Sequence, residues 1–128
     1  MTSLVVVDAS ALAAVAFKEP AGRDIRDRLA NRQLVAPHLL AYELTNTALT
    51  KLRRHPTQAT IIRTGLSRVL SDDFAIGWSD VDHDAVLALA GRTGLTGYDA
   101  SYLWLARHLD AELVTLDAEL QRAINRPT

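Results

Sequence analysis

The chain has 128 residues, 48 % of them hydrophobic and 23 % charged, which suits one compact domain and excludes disorder or a second independent core. The absence of cysteine excludes disulfides, thiolate zinc sites, iron–sulfur clusters and thiol nucleophiles. Fourteen Lys and Arg stand against fifteen Asp and Glu, a net charge of −1, so only the distribution of charge can point to a partner.

Leu4 to Val7 is a short, largely β-branched run, which predicts a central strand buried on both faces. Ala9 to Phe17 reads as a helix that stops at the turn cluster Lys18 to Gly22. A polar helix over Arg23 to Asn31 follows, then a strand over Leu34 to Ala36 ended by Pro37. The amphipathic pattern next predicts a long helix from His38 to Arg54 and, past Pro56, another from Thr57 to Leu70. Phe74 to Trp78 reads as a third strand and Val81 to Thr93 as a helix closed by Gly94. Leu95 to Gly97 turns into a helix over Tyr98 to Leu109; Glu112 to Thr115 is a fourth strand and Ala118 to Ile124 a last helix. Strands alternating with helices predict an α/β fold, a three-layer sandwich with a short, mostly parallel central sheet flanked by helices, as one domain over residues 1–128. The start Met1-Thr2-Ser3 lacks the basic segment of a secretory signal, and no apolar run approaches the ~20 residues of a membrane span. A cytoplasmic address without membrane attachment is expected.

In an open parallel sheet, ligands collect outside the carboxyl ends of the strands. Asp8 follows the first strand and Asp117 follows Leu113 to Leu116, so both carboxylates are expected at one edge. Each also suits a helix N-cap, a role that stabilises a helix by about 1 kcal/mol. Asp99 lies in the first turn of its helix on the inward side, and Thr96-Gly97-Tyr98-Asp99 equally fits a capping box. Glu43 falls opposite the apolar side of its helix, with Asn46, Thr47, Thr50 and Arg54, mainly short uncharged polar groups that suit a cleft better than open solvent. Carboxylates brought together raise one another's pKa unless a positive charge sits among them. Hard oxygen donors suit magnesium or manganese. His38, His55, His83 and His108 are scattered, which argues against zinc.

Four segments occur in order: Val5-Val6-Val7-Asp8-Ala9-Ser10, Glu43 with Asn46, Tyr98-Asp99-Ala100-Ser101-Tyr102-Leu103, and Leu113-Val114-Thr115-Leu116-Asp117. Over essentially the whole chain this resembles a PIN domain, and it is similar in size and segment pattern to the VapC-type toxins of toxin–antitoxin pairs. The resemblance implies that Asp8, Glu43, Asp99 and Asp117 form an acidic catalytic pocket. It implies Mg2+, with Mn2+ as the other candidate, held by Asp8, Asp99 and Asp117, and support from Ser10, Asn46 and Thr115. It further implies a metal-dependent endoribonuclease, a homodimer, and a small antitoxin partner that occupies the cleft. Glu43 is either a ligand or the group that deprotonates the attacking water.

Between Leu44 and Ser71 the chain carries basic residues and no acidic one. Lys51, Arg53 and Arg54, with Arg63 and Arg68, are the candidate RNA contacts; each also suits a solvated helix face. Among the aromatics, Trp78, Tyr42 and Tyr98 are candidates for stacking on bases, whereas Trp104 and Tyr102 suit the core. A haloacid-dehalogenase-type phosphatase would need an acid at the place of Ser10, and a receiver domain a lysine after a late strand; neither is present. The remaining alternative is a non-catalytic PIN-like module that contacts RNA or a protein, its acids serving as caps.

Overall fold

The computed structural model describes residues 3–126. Val5, Val6 and Val7 have no exposed surface, and a strand so buried needs a neighbour on each edge and cover on each face. β1 (Leu4–Val7) has both neighbours. It pairs in parallel with β2 (Gln33–Pro37) and with β4 (Glu112–Val114), and β2 pairs in parallel with β3 (Ile76–Ser79). The order is β3-β2-β1-β4, so all four carboxyl ends lie at one edge.

Helices flank this sheet, as expected. α1 (Ala9–Ala16) packs on α2 (Gly22–Leu29), α3 (Leu39–Arg54) and α4 (Ala59–Ser67). On the other face α6 (Gly97–His108) lies over β1, β2 and β4 and meets α5 (His83–Thr93) and α7 (Ala118–Asn125). The core between the layers includes Leu12, Leu40, Leu44, Leu105 and Leu120, none with exposed surface, each contributing about 1.5–3 kcal/mol by burial. Two glycines let backbones approach α1 closely. A Cβ on Gly22 would stand 2.2 Å from the Ala14 carbonyl oxygen, and one on Gly65 would stand 2.1 Å from that of Ala16.

Most boundaries agree with the sequence reading, and the departures have local causes. α2 ends at Leu29 rather than Asn31, because Ala30 is already extended with ψ 134° and Asn31 takes a left-handed conformation with φ 60°. The helix expected over Thr57 to Leu70 is three pieces: a 3-10 turn at Pro56–Gln58, α4, and a π turn at Arg68–Asp72. Pro56 starts the first piece, where its missing N–H costs nothing. The π turn is closed by the Asp73 N–H donating to the Arg68 carbonyl at 2.7 Å, and the two side chains pair at 3.3 Å. Because Asp73 is held there, β3 begins at Ile76 instead of Phe74, and Phe74 lies under the Arg26 guanidinium. α5 starts at His83, capped by Asp82, and ends at left-handed Gly94. β4 stops at Val114, and Thr115 turns toward β1.

Candidate active site

At the carboxyl edge, β1 delivers Asp8 and β4 delivers Thr115 and Asp117. Asp8 is buried, 4 % exposed, and its carboxylate is held from three directions. Oδ1 accepts from the Ser10 hydroxyl at 2.7 Å and from the Ala11 N–H at 3.0 Å; Oδ2 accepts from the Thr115 hydroxyl at 2.5 Å. The Leu116 N–H donates to Ser10 Oγ at 2.9 Å and the Asp117 N–H to Thr115 Oγ1 at 3.0 Å. Ser10 and Thr115 therefore clamp the ends of β1 and β4 around one carboxylate.

α3 contributes Glu43 and α6 contributes Asp99, both half-buried. The Tyr102 hydroxyl donates to Glu43 Oε1 at 2.6 Å. Tyr102 itself is 1 % exposed; burial and the adjoining acids hold its phenol far above the ordinary range, so it stays a donor. Its ring lies in the core, as its pattern implies, and its hydroxyl also fixes Glu43. A phenol among apolar neighbours on α6 was the available signal.

Three of the four acids are shifted upward. For Asp8 the largest cause is burial, opposed by the bonds from Thr115, Ala11 and Ser10 and reinforced by Asp117. For Glu43 burial leads, opposed by the Tyr102 bond and reinforced by Asp99 and Asp8. For Asp99 burial leads again, followed by repulsion from Asp117, Asp8 and Glu119. The four are thus electrostatic neighbours, joined by Glu119 from the first turn of α7, which the sequence reading did not single out. None of the four has an ion-pair partner among the described residues.

The capping readings hold for Asp8 and Asp117, and the capping box holds on the Thr96 side only, the Asp99 carboxylate bonding no backbone N–H among the described residues. Asp8 caps α1, Asp117 accepts from the Leu120 N–H at 2.9 Å as cap of α7, and Thr96 caps α6 by accepting from the Asp99 N–H at 3.1 Å. As they stand, no three Asp, Glu or His side chains among the described residues gather tightly enough to enclose one ion. Asp8 and Asp117 are drawn to their own cap and hydroxyl partners. The donor set nonetheless fits a hard divalent cation in kind: all oxygen, mutually repelling, with the Asp99 carboxylate and Asp117 Oδ2 carrying no hydrogen bond among the described residues.

The expected auxiliary and basic residues separate. Asn46 is exposed and lines the same crevice as Ser10 and Glu43. Lys51 is engaged within the fold, 3.6 Å from the Glu19 carboxylate and over the Phe17 ring, and Arg68 pairs with Asp73. Arg53 and Arg54 are exposed at the far end of α3, about 15 Å of helix from Glu43. Among the described residues no helix is long and apolar enough to cross a membrane.

An acidic centre at the carboxyl edge of a four-stranded parallel sheet defines the class, and comparison with known proteins defines the family. The PIN domain family model matches residues 5–125. Exonuclease VapC9 of Pyrobaculum aerophilum is 36 % identical over 115 residues, covering 90 % of this chain and 81 % of that one. Ribonuclease VapC3 of the same organism is 32 % identical over 123 residues, covering 90 % of each. The crystal structure of PAE2754 from Pyrobaculum aerophilum superposes with a TM-score of 0.75 at 36 % identity, over 92 % of this chain and 77 % of that one. The fold is also that of Mycobacterium tuberculosis VapC20, at a TM-score of 0.65, 15 % identity and coverage of 96 % and 99 %. The chain belongs to the PIN domain family. Within it, the curated relatives it matches are VapC proteins.

Proposed function

We propose that this protein is a metal-dependent endoribonuclease that acts as the toxin of a toxin–antitoxin pair. The observation that carries this reading is the gathering of Asp8, Glu43 and Asp99, buried or half-buried, at the carboxyl edge of the sheet with no cationic side chain paired to them among the described residues; burial and mutual repulsion raise all three carboxyls. A fold that concentrates acids in this way at the ligand-binding edge of its sheet is prepared for an external cation. Relatives named as a ribonuclease and an exonuclease support the reaction class.

Asp8, Asp99 and Asp117 are the residues to hold Mg2+, with Mn2+ as the alternative. The bound ion would supply positive charge that lowers the pKa of a water and offsets the charge developing on the phosphorane. Ser10 and Thr115 fix the buried Asp8 carboxylate so that it need not reorganise during the reaction. Glu43, held at Oε1 by Tyr102 with Oε2 free of hydrogen bonds among the described residues, is suited to take the proton as water attacks phosphorus and the bond to the leaving ribose oxygen breaks. Arg53 and Arg54 supply phosphate contacts along α3. A small antitoxin that covers the cleft, and a homodimer, belong to the same reading. Tyr42 and Leu116, 75 % and 46 % exposed beside Glu43 and Ser10, give such a partner an apolar rim.

The test is incubation of the purified protein with RNA in Mg2+ or in chelator, followed by sequencing of fragment ends. Discrete ends with Mg2+ that vanish in chelator and in Asp99→Asn are expected; Mg2+-independent ends, or wild-type cleavage by Asp99→Asn, refute the assignment. One observation favours the second reading, a non-catalytic module that contacts RNA or a protein: Asp8 and Asp117 are satisfied helix caps. That reading requires calorimetry to find no carboxylate-dependent Mg2+ uptake.

A further inference from the structure

The acidic cleft has a neighbour. Where β2 and β3 end, a crevice of about 710 Å³ opens between the start of α3, α5 and the start of α6. Its lining includes His38, Asp80, Val86, Leu87, Tyr98 and Ser101. Leu39 and Tyr98 line both this crevice and the one that holds Ser10 and Glu43, so the two concavities share a wall. Tyr98 is also the residue immediately before Asp99.

The rings here are presented rather than buried. His38 stacks on Trp78 with centroids 6.3 Å apart and planes 16° from parallel, and its Nε2 lies 3.3 Å from Asp80 Oδ1. The imidazole is therefore oriented from two sides although its side chain is 61 % exposed. Tyr98 is 64 % exposed and Leu87 72 %, large apolar surfaces that no core contact requires. Beside the His38 and His83 imidazoles, the crevice presents two acceptors. Asp80 is fully exposed, and the Ser101 hydroxyl, 8 % exposed, already donates to the Gly97 carbonyl at 2.8 Å, which leaves its lone pairs for an incoming donor. With Asp80 at the rim, a phosphate is disfavoured here. A flat, uncharged ring bearing N–H groups is favoured.

We propose that this crevice is a nucleobase subsite: the base of a nucleotide next to the scissile phosphate stacks against the Tyr98 and His38 rings and donates an exocyclic amino group to Asp80 or Ser101. The proposal rests on the ribonuclease reading of the acidic cleft and adds the substrate feature it recognises, a base with an exocyclic amine over uracil. Continuity with the acidic cleft through Tyr98 favours a base over a protein side chain as the occupant.

Fluorescence anisotropy in chelator measures binding apart from cleavage. Labelled six-nucleotide oligoadenylate, oligouridylate and oligoadenylates with one abasic position are titrated into wild type, Asp99→Asn, His38→Ala and Tyr98→Ala. Wild type and Asp99→Asn are expected to bind oligoadenylate more tightly than oligouridylate and to lose about tenfold at one abasic position, the size of one lost base–aromatic stack. His38→Ala and Tyr98→Ala are expected to lose the same factor and to become indifferent to that position. Equal binding of all oligonucleotides by wild type, or binding by both ring variants that matches wild type, overturns the subsite and leaves the crevice to a protein side chain. If the binding pattern is found and added Mg2+ produces no cleavage, the subsite stands and the nuclease reading falls.

Discussion

Tyr102→Phe isolates how α6 controls Glu43. The substitution keeps the ring that fills the core and removes only the hydroxyl that donates to Glu43 Oε1 at 2.6 Å. A hydrogen bond to a charged acceptor is worth about 1.5–3 kcal/mol, and one to a neutral acceptor about 0.5–1.5. Glu43 is half-buried, so water reaches part of the freed oxygen and the lower end, about 1.5 kcal/mol, applies at neutral pH. The sign with pH follows from linkage. The hydroxyl lowers the folded-state pKa of Glu43, so in the variant the folded carboxyl holds its proton to higher pH. The stability lost on substitution therefore grows as pH rises through the Glu43 titration and shrinks below it, where the folded carboxyl is neutral in both proteins. Urea unfolding of both proteins in chelator, from acidic to neutral pH, measures this directly. A deficit independent of pH would refute the claim that the phenol holds a carboxylate; a deficit that widens toward neutrality, with slower cleavage in Mg2+, supports Tyr102 as a positioning residue.

Asp99→Asn in chelator should be more stable than wild type at neutral pH, with the gap closing in acid. The folded pKa of Asp99 is raised, so wild type loses stability as pH climbs through the ordinary carboxylate range, and circular-dichroism melts across pH will reveal it. Asp8→Asn has a different outcome, because an amide cannot accept from Ser10, Ala11 and Thr115 together; it should lose activity and also about 1–3 kcal/mol of stability in denaturant. Gly65→Ala should destabilise by about 1–3 kcal/mol or more, read as a lower urea midpoint, since its Cβ would meet the Ala16 carbonyl at 2.1 Å. Replacing Arg53 and Arg54 by Ala should weaken RNA binding at all sequences and lower the salt slope of log K by about 1 per residue, measured by filter binding.

The strands and the acids were legible because both depend on local pattern. Val5 to Asp8 states its own burial and its own end, and Glu112 to Asp117 does the same at the other side of β1. The partition of Thr57 to Asp73 was not legible, since the π turn depends on Asp73 reaching back to Arg68 and across to Arg26. Nor could a helix wheel find the bond between Tyr102 and Glu43, groups 59 residues apart in the chain. The charge of Lys51 is plain in the sequence, but its contacts with Glu19 and Phe17, which follow α1, come only from the packing of the chain. The wheel did identify Asp99 as inward-facing, and it is half-buried. Asp8 and Asp117 are at once helix caps and cleft acids, two roles that a reading of each residue alone sets against each other.

The placement of Asp8 has a mechanical corollary. It hangs from the central strand, whose Val5, Val6 and Val7 have no exposed surface, whereas Glu43 and Asp99 ride on outer helices. Local opening in proteins starts where few buried contacts must break; α3 buries only Leu40, Leu44 and Ala48 of its 16 residues, whereas β1 and α6 are largely buried, so any adjustment of the mouth falls to α3 while β1 stays still. Asp8 then serves as an anvil: amide hydrogens of Val6 to Asp8 should be among the slowest to exchange, and any flexing of the mouth is measured against them.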